Sequence, residues 1–585
     1  MANRNPAIRT AFFAAAFFAA ATAAADTWYP AEDWQDTPDP IASPHAKKGG
    51  TVRFSGGQGP KSYNGYIDGN TYTMMTFSLM FETLLGTDTE TLDFVPGLAR
   101  RWCVSDDGET FTFVIDDNAR WSDGVKLDAY DVKWTFDAIM DEKNDTGAWK
   151  VILAMFESPE VIDEKTVRFT KKPGAEADWR DLQHCGFFYI LPRHYFEGKD
   201  FNKVDLLGCP VSGPYRLSRI EEQVESEWSR NRDWWRKDMP SCKYVCNFDR
   251  IVLRYYVDNE NAFEALKKRA IDVYPVYTAR IMSAETHGEK FDRNWILKRR
   301  VANHAPIGFQ GFAMNMRKKP FDDVRVRKAM AHLIDRETMN RTMMFGEYFL
   351  LKSTYTDLYD AVHPCENPYF EYNVEKAKEL LKEAGYERGF KFTFLSRSGT
   401  EDKFLALFNH ALRQCNIEME ITRQDFAGWM RDMDAFNFEM TWASWGASIF
   451  RTPETQWLSS EADRKGSNNF VGFKSAAVDE LIRREKGMKT MAERADAYRA
   501  IDRLVCEQVP YAFLWNTADK RILYWNKFGM PSTVMSRYGD EDSVLSYWWY
   551  DDDKAEELKD AMANHTCLPD VPLKVEFDEM LGKEE

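Results

Sequence analysis

Residues 441 to 454, TWASWGASIFRTPE, gather side chains that suit ligand binding into one short stretch. Tryptophans offer wide apolar faces with one N–H each, arginine forms paired hydrogen bonds to carboxylates or carbonyls, and serine and glutamate add a hydroxyl and a carboxylate. The residues concerned are Trp442, Trp445, Ser448, Arg451 and Glu454. No helix or strand period fits them, and Gly446 and Pro453 argue against a continuous helix. The stretch predicts a displayed loop, while tryptophans packed onto their own domain and an ion pair between Arg451 and Glu454 stay open as the alternative.

The sequence carries none of the common catalytic or metal-binding signatures. It lacks H-E-x-x-H, G-x-S-x-G, the phosphate-binding G-x-x-x-x-G-K-[ST] and the calcium loop, and no Cys/His cluster has zinc spacing. Residues 56–62, GGQGPKS, lack the third glycine of a dinucleotide fingerprint. We therefore predict no catalytic residue, metal or cofactor, although a pair of catalytic carboxylates stays open because Asp and Glu are plentiful.

Composition restricts the class of protein. The chain has 585 residues, 44% hydrophobic and 29% charged, which is enough to bury large cores in two or more domains. Its formal net charge of -16 opposes general affinity for nucleic acid or anionic membranes, since both need a basic surface. We expect neither as a partner.

The first 25 residues have the pattern of a secretory signal peptide. Arg4 and Arg9 precede the apolar run AFFAAAFFAAATAAA, and small residues lead to Asp26. No later segment is apolar for eighteen residues, and no cysteine near residue 26 offers a lipid anchor. We expect cleavage before Asp26 and a free monomer in a Gram-negative periplasm, where the nine cysteines can form disulfides. Cys242 and Cys246 form either a bridge or a pair of small buried residues.

Helices alternate with strands after residue 320. In PFDDVRVRKAMAHLID the apolar residues fall at i, i+3, i+4 and i+7 behind a capping aspartate, and NVEKAKELLKEAG repeats the design. FKFTFL and IEMEI predict strands on either side of a further helix, and GGTVRFSGG and ETFTFVI predict strands earlier in the chain. This alternation predicts an α/β fold in which helices cover the sheets.

Several long stretches resemble one known family. They are GGTVRFSGG, FETLLGTDTETLDFVPGLARRWCVSDDGETFTFVIDDNARWSDGVKLDAYDVKWTFD, SGPYRLSRI, NRDWW, IVLRYYVDNENAFEALKKRAIDVYPV and FAMNMRKKPFDDVRVRKAMAHLIDRETM. In this order they are similar to extracellular solute-binding proteins of family 5, the peptide/nickel group of ABC importers. The WGAS.FRTPE loop and WNT..KRI.YW..FGMP resemble the Yej-type branch, which is associated with microcin C and peptide uptake.

The resemblance implies an α/β, two-lobed periplasmic-binding-protein fold (type II, cluster C) with an extra third domain. By motif position, lobe I takes residues 26–80, 209–305 and 520–585, the extra domain takes 81–208, and lobe II takes 306–519. The chain is expected to cross between the lobes near HAPIGFQGFAMN and LWNTADK. A hinge at these crossings would close the lobes on a ligand.

The resemblance also implies a role for one residue of the displayed loop. In family members that bind free peptides, the matching loop carries an aspartate that holds the ligand's α-ammonium group, and Ser448 stands at that position here. Because a buried ammonium without a carboxylate is costly, Ser448 favours a ligand with an uncharged or blocked amino end. Glu454 as the source of the carboxylate stays open.

Further ligand-binding candidates follow the predicted strands and crossings. Each can hydrogen-bond a ligand backbone or serve only as a turn or packing residue. They are Tyr63, Asn64 and Tyr66 after the first strand, Asn315 after the first crossing, and the weaker candidates Trp429, Arg431, Trp515 and Asn516.

The sequence as a whole predicts capture without chemistry. An oligopeptide lies between the lobes, pairs its main chain with strand edges and passes to an inner-membrane ABC permease with its ATPase. An N-blocked or microcin C-like peptide is one candidate, and whether the amino end is free or blocked stays open. Three alternatives stay open: the same fold with a nickel chelate, haem or oligosaccharide as ligand, a secreted two-lobed hydrolase, and a periplasmic sensor subunit.

Overall fold

The computed structural model of the chain describes residues 27–176, 178–397, 399–488 and 490–583. The predicted signal peptide lies outside these ranges. Three main sheets organise the described residues, one with eight strands and two with five. We name them the lobe I, extra-domain and lobe II sheets after the predicted domains that supply most of their strands.

The lobe I sheet is mixed. Its strands in spatial order are Lys574–Glu576, Ile296–Ala302, Lys520–Trp525, Val273–Pro275, Thr51–Ser55, Arg250–Arg254, Glu225–Arg230 and Tyr215–Glu221. The strand predicted from GGTVRFSGG is confirmed as Thr51–Ser55, an interior strand parallel to both neighbours. The helices of this lobe are Thr71–Met80, Pro240–Cys242, Asn259–Lys267, Ile281–Glu285, Glu289–Asp292, Ser543–Tyr547, Asp552–Asn564 and Phe577–Met580, and Phe528–Gly529 pairs with Trp549–Tyr550.

The extra-domain sheet is antiparallel. Its order is Thr27–Tyr29, Ala99–Val104, Thr110–Ile115, Thr166–Thr170 and Glu160–Asp163. Thr27–Tyr29 differs from the prediction, which assigns residues from 26 onward to lobe I, because it covers the otherwise open edge of Ala99–Val104. Its helices are Ala129–Met140, Gly147–Leu153, Asp181–Gly186 and Arg193–Phe196, and a small hairpin joins Leu85–Thr87 to Phe94–Pro96.

The lobe II sheet confirms the predicted alternation of strands and helices. Its order is Glu418–Arg423, Lys391–Ser396, Met440–Trp445, Phe309–Met314 and Tyr511–Phe513. Asp323 and Asn373 cap the two predicted helices, where their side chains accept from backbone N–H groups of the first turn. The helices are Val324–His332, Arg336–Met343, Thr356–Leu358, Val374–Glu383, Gly399–Glu401, Asp402–Gln414, Phe426–Asp434, Pro453–Trp457, Ser459–Glu461, Ala476–Glu485 and Met491–Gln508, and Phe349–Leu350 pairs with Trp515–Asn516.

Lobe II has apolar cores of its own. One continuous core joins lobe I residues such as Phe54 to extra-domain residues such as Phe113. The two cores of lobe II use residues 309 to 515 only, among those the structure describes. Among the described residues no apolar core crosses between them, so lobe II is a separate body attached to lobe I and the extra domain by two chain crossings and by surface contacts.

The predicted domain boundaries at residues 80, 208, 305 and 519 fall in connections between strands of different sheets. This arrangement supports the division, whose positions remain a proposal. Cys242 and Cys246 are buried thiols with no disulfide between them. Within the described ranges, no helix is long and apolar enough to cross a membrane. In the same ranges, no three His, Cys, Asp or Glu side chains cluster as a metal site would require.

Candidate functional site

The stretch TWASWGASIFRTPE connects a central strand to a short helix. Trp442 and Trp445 lie on strand Met440–Trp445, which corrects the prediction that no strand period fits them. The first four residues of the strand are all buried, so the sequence shows no alternation of polar and apolar residues there. The displayed loop is shorter than predicted and covers residues 446–452, before helix Pro453–Trp457.

Trp442 belongs to the core of lobe II. Its indole N–H donates to Oε1 of Gln310 at 3.0 Å. Its ring meets those of Phe312, Phe404 and Trp515 edge-on, at centroid distances of 5.7, 5.4 and 6.0 Å. Packing therefore accounts for the position of this tryptophan, and its role as the wall of a ligand pocket stays a prediction.

Trp445 lies at the end of the same strand and is half-buried. Its ring stacks on Phe470 at a centroid distance of 5.3 Å, and its indole N–H donates to the Tyr511 hydroxyl at 3.0 Å. The backbone at Gly308, on the first crossing, approaches so closely that a Cβ there would lie 2.0 Å from the Trp445 carbonyl oxygen. This close approach fixes the end of the strand beside the crossing.

The exposed residues Gly446, Ala447 and Ser448 border a cavity of about 280 Å³ on lobe II. The cavity is lined by Phe309, Thr354, Tyr355, Trp445, Gly446, Ala447, Ser448, Arg451, Thr452, Thr455, Gln456 and Asn468. None of these described residues is acidic, and Arg451 is the one with a formal charge. The cavity offers aromatic faces, hydroxyls, amides and a guanidinium, but no carboxylate for an ammonium group.

Arg451 and Glu454 are held by other residues of the protein. Arg451 is buried and forms an ion pair with Asp357, not with Glu454 as the sequence alternative has it. The Oε1 atom of Glu454 lies 2.7 Å from Nη1 of Arg180 in the extra domain. Burial raises the pKa of Glu454, and the Arg180 guanidinium opposes that rise. In this conformation the Glu454 carboxylate is paired with Arg180 and is not available to hold a ligand's ammonium group.

Most of the other predicted ligand residues satisfy groups of the protein itself. Asn64, Tyr66, Asn315, Trp429 and Trp515 are buried. The amide of Asn315, for example, donates to the carbonyls of Phe436 and Phe438 at 3.1 and 2.9 Å. The half-buried Asn516 donates to the Gly308 carbonyl at 2.6 Å, and the half-buried Tyr63 pairs with the Ser226 hydroxyl. These contacts within the protein account for the residues as turn and packing residues, and their contact with a ligand stays a prediction.

Sequence reasoning misses a group of tyrosines and carboxylates in lobe I that lies beside lobe II. Tyr277 is 56% exposed, and its carbonyl accepts from the Tyr348 hydroxyl of lobe II at 3.5 Å. The side chain of Tyr72 lies close to that of Tyr277. Burial, with a smaller contribution from Asp540, raises the pKa of Glu541 to about 7. No local pattern connects residues so far apart in sequence, and the tyrosines near position 72 are the one visible signal.

Comparisons with protein-family models and with known sequences show which proteins this chain is similar to. Residues 93–467 match the model for bacterial extracellular solute-binding proteins, family 5 Middle. A relative from Agrobacterium fabrum, named as the probable peptide-binding protein YejA, is 26% identical over 561 residues, which span 86% of this chain and 90% of that protein. The Escherichia coli protein YejA is also 26% identical, over 570 residues that span 89% of this chain and 92% of that protein.

One similar solved structure is the periplasmic binding protein DppA from Helicobacter pylori, in complex with the peptide STSA. Its TM-score is 0.68 at 20% sequence identity, and the match covers 86% of this chain and 99% of the DppA chain. The predicted two-lobed type II periplasmic-binding-protein fold is confirmed, as is the resemblance to Yej-type relatives. From the sheet arrangement, the separate cores and the matched residues together, we conclude that the chain belongs to family 5 of the bacterial extracellular solute-binding proteins.

Proposed function

We propose that this protein is the peptide-binding component of an ABC importer. It captures an oligopeptide between lobe II and the body formed by lobe I and the extra domain. It acts in the periplasm as a monomer, after cleavage before Asp26, and passes the peptide to an inner-membrane permease with its ATPase. The peptide-binding name of the Agrobacterium relative and the peptide STSA in the DppA structure support a peptide as the ligand class.

One observation carries the proposal. Met440–Trp445 is a central strand of lobe II and runs parallel to Lys391–Ser396, and its carboxyl end leads into the exposed residues 446–448 above the cavity. In α/β sheets, ligands bind in the crevice outside the carboxyl ends of the strands. The loop therefore presents its backbone groups and the half-buried Trp445 where a ligand would lie.

Capture needs no bond-making step. A ligand that touches both bodies only in the closed form shifts the population toward closure, by as much as its affinity for that form exceeds its affinity for the open one. A micromolar site needs about 8 kcal/mol of net binding free energy, which main-chain hydrogen bonds and buried aromatic area can supply. We propose on these grounds that the protein is a carrier and not a hydrolase.

The absence of a carboxylate from the cavity lining leads to a prediction about the ligand's amino end. We expect N-acetyl-trialanine to bind about tenfold or more tightly than trialanine, because the free ammonium would be buried without a counter-charge. Isothermal titration calorimetry on the two peptides measures the difference. Ser448→Asp should reverse the preference by adding a carboxylate, whereas Ser448→Asn, similar in size but neutral, should keep it.

Two outcomes distinguish a failure of the predicted role of Ser448 from a failure of the proposed ligand class. Tighter binding of free trialanine by the unmodified protein contradicts the role of Ser448 but leaves a peptide-binding protein. No heat from any peptide in a panel of two to nine residues, together with binding of a nickel–histidine chelate or an oligosaccharide, contradicts the peptide class itself.

A further inference from the structure

A short segment of the extra domain grips lobe II beside the displayed loop. The Arg180 side chain is only 2% exposed and donates to Asp178 of its own segment through Nε and Nη2, at 2.8 and 2.6 Å. Its Nη1 lies 2.7 Å from Oε1 of Glu454 and donates to the carbonyl of Arg451 at 3.2 Å. One guanidinium thus holds both a side chain and the backbone of the segment that follows Ser448.

The neighbouring Trp179 extends this contact to two helices of lobe II. Its indole N–H donates to Oε1 of Glu485 at 2.7 Å, and its backbone N–H donates to the carbonyl of Lys486 at 3.1 Å. Its ring lies 5.8 Å from that of Phe450 in the displayed loop, and the Arg494 guanidinium sits 3.8 Å above it. We call the contacts of Trp179 and Arg180 with lobe II the clasp.

The clasp connects two bodies whose apolar cores are separate. The apolar cores of the described residues end on either side of the clasp. Polar groups, with the Phe450 ring against Trp179 and Phe94 and an ion pair between Lys486 and Glu176, join the two bodies there. On opening, Arg180 would keep Asp178 as a counter-ion, but Glu454 would lose the one side chain paired with it in the described structure. Opening would break the hydrogen bonds of the clasp, two of which involve carboxylates, and these contacts together favour the closed form.

We propose that Trp179 and Arg180 are positioning residues that hold the protein closed and fix the displayed loop in the geometry that receives a ligand. This inference rests on the proposed function in that the fixed loop is the peptide site. Part of the free energy of closure then comes from contacts between the extra domain and lobe II that involve no ligand atom. Arg180 influences affinity through Glu454 and the Arg451 carbonyl, without touching the peptide.

Small-angle scattering of the ligand-free protein tests the clasp without any assumption about the ligand. We expect Arg180→Ala to give a larger radius of gyration than the unmodified protein, and Arg180→Lys, which retains a charge near Glu454, to give an intermediate value. Trp179→Phe keeps the ring but removes the N–H that donates to Glu485, and it should also increase the radius. Arg483→Ala is the matched control, because that exposed arginine pairs with Glu480 on its own helix.

Calorimetry with N-acetyl-trialanine then tests the effect on the site. We expect Arg180→Ala to weaken binding about tenfold or more, measured on protein that circular dichroism shows to be folded. If Arg180→Ala and Trp179→Phe both leave the ligand-free radius unchanged, the clasp does not control closure and the inference fails. Failure of the proposed function shows differently: the radius responds to the variants as expected, but no peptide binds to any of them.

Discussion

Replacing Asp502 with alanine should lower the free energy of unfolding of lobe II by about 3–5 kcal/mol, because several buried donors would lose their acceptor at once. Asp502 is fully buried on helix Met491–Gln508. It accepts from the Ser353 hydroxyl at 2.7 Å, from the Thr354 backbone N–H at 2.8 Å and from the Tyr359 hydroxyl at 2.8 Å. This carboxylate thus anchors a segment that lacks a long helix or strand of its own.

The loss of the Asp502 carboxylate should also affect the candidate site, because Thr354 lines the cavity beside Ser448. Chemical denaturation measures the stability loss, and calorimetry should show weaker peptide binding by whatever protein remains folded. Asp496→Ala on the same helix is the control, since that side chain is 75% exposed and pairs with Arg499. Its loss should stay below about 1 kcal/mol. An Asp502→Ala loss as small as the control's would contradict the account.

Trp442→Ala should cost about 3–5 kcal/mol of unfolding free energy, as expected when a buried aromatic side chain leaves a cavity in a core. The indole packs against three aromatic rings and donates to Gln310. Its removal takes one neighbour from each of those rings and leaves the Gln310 side-chain oxygen without its indole donor. Denaturant unfolding of the variant measures the effect.

Trp445→Ala is the matched comparison, because the two tryptophans are three positions apart on one strand. Trp445 is half-buried and borders the cavity, so its loss should lower stability by only about 1–2 kcal/mol but weaken peptide binding more than any other change to the strand. The opposite pattern, with Trp442 governing affinity and Trp445 governing stability, would support the sequence interpretation of Trp442 as a pocket wall.

The sequence predicts the parts of the fold whose signals are local. The helix Val374–Glu383 is an example: Asn373 caps it by accepting from the Lys376 backbone N–H, and Ala377 and Leu381 supply its buried face. Both features lie within a dozen neighbouring residues, where capping and periodicity operate. The family motifs then add the order of the lobes, which no local pattern contains.

Local sequence patterns do not predict which residues form ion pairs and hydrogen bonds with each other at the site. Arg451 takes Asp357 as its counter-ion from 94 positions away, although Glu454 lies three positions along the chain. Asn315 is a polar residue in a turn, and nothing in the neighbouring sequence shows that its amide donates to the carbonyls of Phe436 and Phe438. The central strand Met440–Trp445 escapes detection for a related reason, since burial on both faces removes the alternation that identifies a strand.

We propose that this protein binds a peptide between two bodies and releases it chemically intact. Native mass spectrometry of the protein purified from the periplasm, without added ligand, tests this most directly. We expect a set of non-covalent peptide adducts whose masses stay constant during prolonged incubation and are recovered unchanged after denaturation. Bound peptides that become progressively shorter, or a protein that never carries or accepts a peptide, would contradict it.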